Sequence, residues 1–141
     1  MEAYGNAPAV LTAILAGREL GLAAMASLRG IHMVKGRAAL SAQVMTAMIL
    51  RSGLAEYFDV AELSATSCTM VTKRKSGRGE VVITHTIEMA ERAGLVKPDS
   101  NWLKVPEDML VARASSRLAR LVYPDLMFGM YTPDELREGG Q

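Results

Sequence analysis

Two prolines do the most to limit what this chain can fold into. Pro106 and Pro124 bracket a stretch free of glycine and further proline, in which Leu110, Ala114, Leu118 and Leu121 recur at helical spacing. Proline suits the first turn of a helix, where its missing N–H costs nothing, and it stops a helix that runs into it. A long helix with an apolar wall is therefore predicted between them, buried along that wall. Arg113, Arg117 and Arg120 fall at i, i+4 and i+7, so they share one face beside the wall. An aligned basic edge on a buried helix suits a row of backbone phosphates. Trp102 and Lys104, just ahead of Pro106, add a ring on which a base could stack and one more cation.

The rest of the chain supplies partners for that helix. An approximate helical period covers 8–20, with Gly21 at its end, and a short helix is expected over 22–28. Residues 31–34 and 37–40 read as two strands joined by a Lys35-Gly36 turn. Ser41 is a good cap for a helix over 42–51, with Gly53 beyond it. Strands follow at about 56–63, 67–74 and 80–85, the last two flanking the glycine-rich loop Lys75-Ser76-Gly77-Arg78-Gly79. Thr86 caps a short helix through Arg92, a loop covers 95–105, and Thr132-Pro133-Asp134-Glu135 starts a last short helix. The expectation is one α+β domain of antiparallel hairpins and a small three-stranded sheet packed with about five helices.

Composition narrows the function. Half of the residues are apolar, which excludes a disordered chain. The net charge is only +1, but its distribution is uneven: residues 64–79 carry Lys73, Arg74, Lys75 and Arg78 and no acid, whereas acid collects after Pro124. The run over 7–16 is too short to span a bilayer and is closed by Arg18-Glu19, so neither a membrane nor a secretory route is expected. A single cysteine, Cys68, allows no internal disulfide and suits a reducing cytoplasm. In a strand it reads as a small buried hydrophobe.

Chemistry is sparse. His32 and His85 lack a cysteine or carboxylate at ligand spacing, so no metal is expected. The loop Ser76-Gly77-Arg78-Gly79 lacks the lysine and hydroxyl that end a phosphate-binding P-loop, so no ATP and no other cofactor is expected. With no acid cluster for magnesium and no nucleophile with a base, the chain reads as a non-enzyme. Each basic element also has a plainer reading. Lys73–Arg78 could be a solvated hairpin tip, Trp102 a loop anchor over the core, and the arginine stripe an ion-pair network with Glu107, Asp108 or Glu91.

A set of short segments, in order, is similar to the phage RecT/Bet-type single-strand annealing recombinases. They run from Arg18-Glu19-Leu20-Gly21-Leu22 through Gly30-Ile31-His32, Lys35-Gly36, Leu40-Ser41-Ala42, Arg51-Ser52-Gly53 and Cys68-Thr69 to Thr86-Ile87-Glu88 with Ala93-Gly94-Leu95. They close with Asn101-Trp102, Pro106, Met109-Leu110, Ala112-Arg113-Ala114, Ala119-Arg120, Tyr123-Pro124-Asp125 and Tyr131-Thr132-Pro133 with Glu135. Members of that family are usually longer, so the resemblance implies a short, core-only member. It implies ATP-independent binding of single-stranded DNA, annealing to a duplex intermediate, and DNA held along a basic groove. It further implies assembly into rings or filaments, in a bacterial host cell, with a phage exonuclease or the host single-strand-binding protein as partner. The expected DNA contacts are Lys73, Arg74, Lys75 and Arg78 from the hairpin, Trp102 and Lys104 at the edge, and Arg113, Arg117 and Arg120 from the helix. The alternative is a non-enzymatic interaction module, derived from a recombinase core, that binds a recombinase or host factor; the near-neutral charge and the methionine content favour it.

Overall fold

One long helix ties the sheet and the remaining helices together. The computed structural model describes residues 7–77 and 79–139. In chain order these form α1 (Ala7–Glu19), α2 (Ala24–Gly30), β1 (Ile31–Val34), β2 (Arg37–Leu40), α3 (Ala42–Ser52), β3 (Ala55–Leu63), β4 (Ser67–Arg74) and β5 (Val81–Thr86). Then come α4 (Ile87–Arg92), α5 (Asn101–Lys104), α6 (Pro106–Val122), α7 (Pro124–Met127) and α8 (Pro133–Gly139). The fold is α+β with two antiparallel sheets, the hairpin β1-β2 and the three-stranded β3-β4-β5.

Local signals place the boundaries. Lys35 and Gly36 both take positive φ, 51° and 78°, which is the backbone of a type I′ turn and matches strand twist. It sets the register Val34↔Arg37. Ser41 Oγ accepts from the Val44 N–H at 3.2 Å and caps α3, and Gly53 closes that helix at φ 78°. Thr86 Oγ1 accepts from the Met89 N–H at 3.2 Å and caps α4.

About five helices were expected, and the described residues form eight. The surplus comes mainly from single turns. In the stretch read as a loop, the Leu103 and Lys104 N–H groups both donate to the Ser100 carbonyl and close α5. Pro124 does end α6, but at a first helical position it also opens α7.

The core lies between α6 and the inner face of the sheet. Central strand β4 turns Cys68, Met70 and Thr72 inward, against Leu110, Ala114 and Leu118 of α6, with Met45 and Ile49 of α3 alongside. Each large side chain buried there contributes about 1.5–3 kcal/mol. The buried hydroxyl of Thr72 is satisfied twice, by the Tyr57 carbonyl at 2.8 Å and by the Tyr123 hydroxyl at 2.7 Å.

The N-terminal helices pack by close approach. A Cβ on Gly17 would stand 1.8 Å from Ser27 Oγ, so α1 meets α2 at a residue with no side chain. Only Ala13 and Gly17 of α1 are buried, leaving Leu11 58% and Leu15 48% exposed. At the other end of the chain, α8 seats Leu136 against Val34 and Ala39 of the first hairpin.

Candidate functional site

Helix α6 carries Arg113, Arg117 and Arg120 along one side, as their spacing requires, but α8 has already engaged two of them. The reason lies in Thr132-Pro133-Asp134-Glu135. Thr132 Oγ1 accepts from the Glu135 N–H at 3.3 Å, and the Glu135 carboxylate reaches back to the Thr132 N–H at 2.9 Å, a reciprocal capping box. That box fixes the carboxylate against α6. Arg120 grips it with both terminal nitrogens at 2.8 Å, and Ser116 Oγ donates at 2.9 Å. Arg113 lies 3.8 Å from the same carboxylate and 3.4 Å from Asp134.

Burial pushes the Glu135 carboxyl up. The Arg120 hydrogen bonds, the Thr132 N–H and Ser116 outweigh that and hold it below the ordinary range. The carboxylate partners anticipated for the stripe, Glu107, Asp108 and Glu91, are replaced by Asp134 and Glu135. Those three are exposed at the surface, whereas the capping box aims Glu135 inward. Arg117 differs from its neighbours: it is exposed and, among the described residues, has no ion pair or hydrogen bond.

The hairpin cations divide in the same way. Lys73 pairs with Glu56 across the strands at 3.5 Å. Arg74 holds Asp125 with two bonds of 2.8 and 3.0 Å, donates to the Val122 carbonyl at 2.9 Å, and lies 5.0 Å over the Tyr123 ring. The hydrogen bond from Arg74 keeps the Asp125 carboxyl below its ordinary value. Arg74 is thus a clamp between β4 and the α6–α7 corner, and its planar fork is filled. Lys75 is exposed without a partner among the described residues, as is Lys104. Arg78 lies outside the described residues.

Trp102 is not an exposed platform. It is 4% exposed and packs in the core, its ring tilted against His85 at 6.1 Å and 5.9 Å from the Arg113 guanidinium. The turn of α5 rolls the indole inward, so Trp102 takes the plainer of its two readings, an anchor over the core. Neither ring nitrogen of His85 nor the Trp102 indole N–H has a hydrogen-bond partner among the described residues. Burial, followed by the charges of Arg113 and Arg117, pulls His85 down to about 4, with Glu135 opposing them.

Around these side chains the surface is concave. A hollow of about 510 Å³ lies between the hairpin loop and the start of α7, with Arg74, Gly77, Leu121 and Asp125 on its walls. Leu121 also borders a shallow site with Ile83, Arg117 and Arg120. Those two arginines in turn line a hollow of about 360 Å³ with Arg113, Tyr131 and Glu135. The three hollows follow one another along α6, with Leu121 bordering the first two and Arg117 and Arg120 the last two; together they are called the trough.

Sequence reasoning passed over two residues of the trough. Glu135 entered only as part of a helix start and of a motif, although the Thr132-x-x-Glu135 spacing marks a carboxylate that folds back on its own helix start. Tyr131 was quoted only as part of a motif. It is 41% exposed, lines the trough, and has the Arg120 guanidinium 4.3 Å over its ring.

The trough offers cations and one aromatic surface. Among the described residues, no group of His, Cys, Asp or Glu could hold a metal ion. Cys68, as anticipated from its strand, is buried, and burial pushes its thiol up. Among the described residues no single helix is long and apolar enough to cross a membrane. The chain matches no protein-family model and no curated protein.

Proposed function

We propose that this protein binds single-stranded DNA without sequence preference and promotes annealing of complementary strands without ATP, as a relative of the RecT/Bet-type recombinases. The observation that carries the reading is the trough along α6, in which Arg117 stands open between two arginines held rigidly in place. An open guanidinium set between two pinned ones, beside an exposed ring, suits a strand that passes along the protein with a phosphate on Arg117. The protein has no bond-making role in this reading. Its contribution is to extend one strand with its bases open to a partner. The bacterial cytoplasm, a ring or filament assembly, and an exonuclease or single-strand-binding protein as partner belong to the same proposal, supported by the sequence resemblance.

The paired arginines change the expected electrostatics. With Arg74, Arg113 and Arg120 committed to carboxylates and Lys73 to Glu56, the open cations of the candidate set among the described residues are Arg117, Lys75 and Lys104. At about 0.7 per neutralised phosphate on a single strand, these three give a log–log salt slope of about −2. The test is a titration of labelled oligothymidylate over a salt series. Arg117→Ala is expected to weaken binding and flatten the slope by about 0.7, with the melting temperature unchanged. A salt-independent affinity, or no binding at low salt, would overturn the proposal.

The second reading, a protein-interaction module, is favoured by a different surface. Leu11, Leu15, Met25 and Leu50 are each about half exposed or more on the N-terminal helices. It predicts the flat salt response that the first reading excludes.

A further inference from the structure

We infer that Tyr131, not Trp102, is the stacking surface of the trough, and that Tyr131 and Arg117 together form a subsite for one nucleotide unit: base on the ring, phosphate on the guanidinium. The inference rests on the single-strand-binding reading above and assigns the division of labour within that site.

Three observations carry it. The first is accessibility. Trp102 is 4% exposed and enclosed by the core, whereas Tyr131 keeps 41% exposure and lines the same hollow as Arg117. The Arg120 guanidinium lies 4.3 Å over the Tyr131 ring, and both side chains border that hollow.

The second is rigidity. The Tyr131 carbonyl accepts from the Leu40 N–H at 2.9 Å, and the next residue, Thr132, is locked to Glu135 through both its N–H and its hydroxyl. The backbone is thus pinned at and after the ring. Arg120, fixed by its two bonds to Glu135, backs the ring from behind. A ring held in place before the ligand arrives loses little freedom on binding.

The third is the commitment of the arginines. Arg120 has given its planar fork to Glu135, so it cannot also grip a phosphate through two bonds. Its remaining interaction is with the ring. Arg117 stands three residues earlier on α6, and residues so spaced are neighbours on a helix surface, with about 5–6 Å between their Cβ atoms. Tyr131 borders the hollow that Arg117 and Arg120 also line, so the charge and the ring face one concave site. Arg117 therefore supplies charge, Tyr131 supplies stacking, and Arg120 acts as a positioning residue for Tyr131. Stacking on an aromatic face tolerates every base, in keeping with binding that reads no sequence.

The experiment uses the full chain, oligothymidylate, and an abasic strand of the same length as probes. Tyr131→Leu is expected to weaken oligothymidylate binding roughly 5- to 150-fold, the range of one lost base stack, with no change in salt slope. It should leave abasic-strand affinity unchanged, and Tyr131→Phe should bind both strands as the wild type does. Arg117→Ala should behave oppositely, weakening both strands and lowering the slope. A readout that needs no variant accompanies these: photocrosslinking of iodouracil-substituted oligonucleotide to the wild-type protein is expected to mark Tyr131. Wild-type oligothymidylate affinity in folded Tyr131→Leu, an equal loss on the abasic strand, or a crosslink that maps only to Trp102 would each overturn the subsite while leaving single-strand binding intact. If the wild type binds neither strand, the functional reading fails and the subsite falls with it.

Discussion

Removing the Glu135 side chain is the most severe single change the trough allows. The carboxylate is 6% exposed and faces Arg120 and Arg113, themselves 19% and 15% exposed. Glu135→Ala deletes five hydrogen bonds: two from Arg120 and one each from Ser116, the Thr132 N–H and the Thr132 hydroxyl. It also strands the shielded Arg120 guanidinium, while Arg113 keeps Asp134. Breaking a buried pair from one side costs about 3–5 kcal/mol, mostly through the charge left without a partner. At about 2.1 cal/mol/K per residue, a chain of 141 residues unfolds with an entropy near 0.3 kcal/mol/K, so the melting temperature should fall by roughly 10–17 °C. Circular dichroism melts would measure it. Glu135→Gln keeps the shape and the cap but not the charge, and should lose less. The double variant Arg120→Ala with Glu135→Ala removes both ends and should be no less stable than Glu135→Ala alone. The folded carboxyl titrates below its ordinary 4.5, so its contribution is complete above about pH 4.5 and is lost as pH falls through the folded value. A loss under about 1 kcal/mol, the size of a surface pair, would refute the claim that this network is sealed from solvent.

Two further outcomes are expected. His85 has its folded pKa pulled from 6.5 to about 4, so its unfolded form takes up a proton first and stability should decline as pH falls from 6.5 towards 4; urea melts of His85→Leu should lose that part of the decline. Leu11→Glu with Leu15→Glu should dissociate any assembly formed through α1 while preserving the fold, since both side chains are about half exposed or more; sedimentation showing the same species before and after the change would rule out α1 as the contact.

Elements with a local cause were legible from the sequence. The Lys35-Gly36 turn, the Ser41 and Thr86 caps and Gly53 each act within a few residues, and each stands where its local chemistry places it. The α6 register followed from the spacing of Leu110, Ala114 and Leu118, whereas Leu121, expected on the same buried wall, is 62% exposed. What was not legible depends on residues far apart along the chain. Arg74 meets Asp125 at a separation of 51, and Arg113 meets Asp134 at 21. Helical periodicity shows that three arginines share a face; it cannot show that another helix brings a carboxylate to two of them. The two readings of Trp102, stacking platform or core anchor, were undecided for a related reason: its inward turn depends on the packing of α5 on α6 and not on Asn101-Trp102-Leu103-Lys104 itself.

The order of elements along the chain has a consequence for biosynthesis. The inner face of β4 is covered by α6, and Thr72 meets its hydroxyl partner Tyr123 across 51 residues. On a ribosome adding about 5–20 residues per second, that face emerges roughly 3–10 s before the helix that closes it. Cys68, Met70 and the flanking strands spend this interval as an open apolar ribbon. A nascent chain whose emerged part ends within 87–105 would present the whole sheet and none of its lid, a surface that holdase chaperones bind.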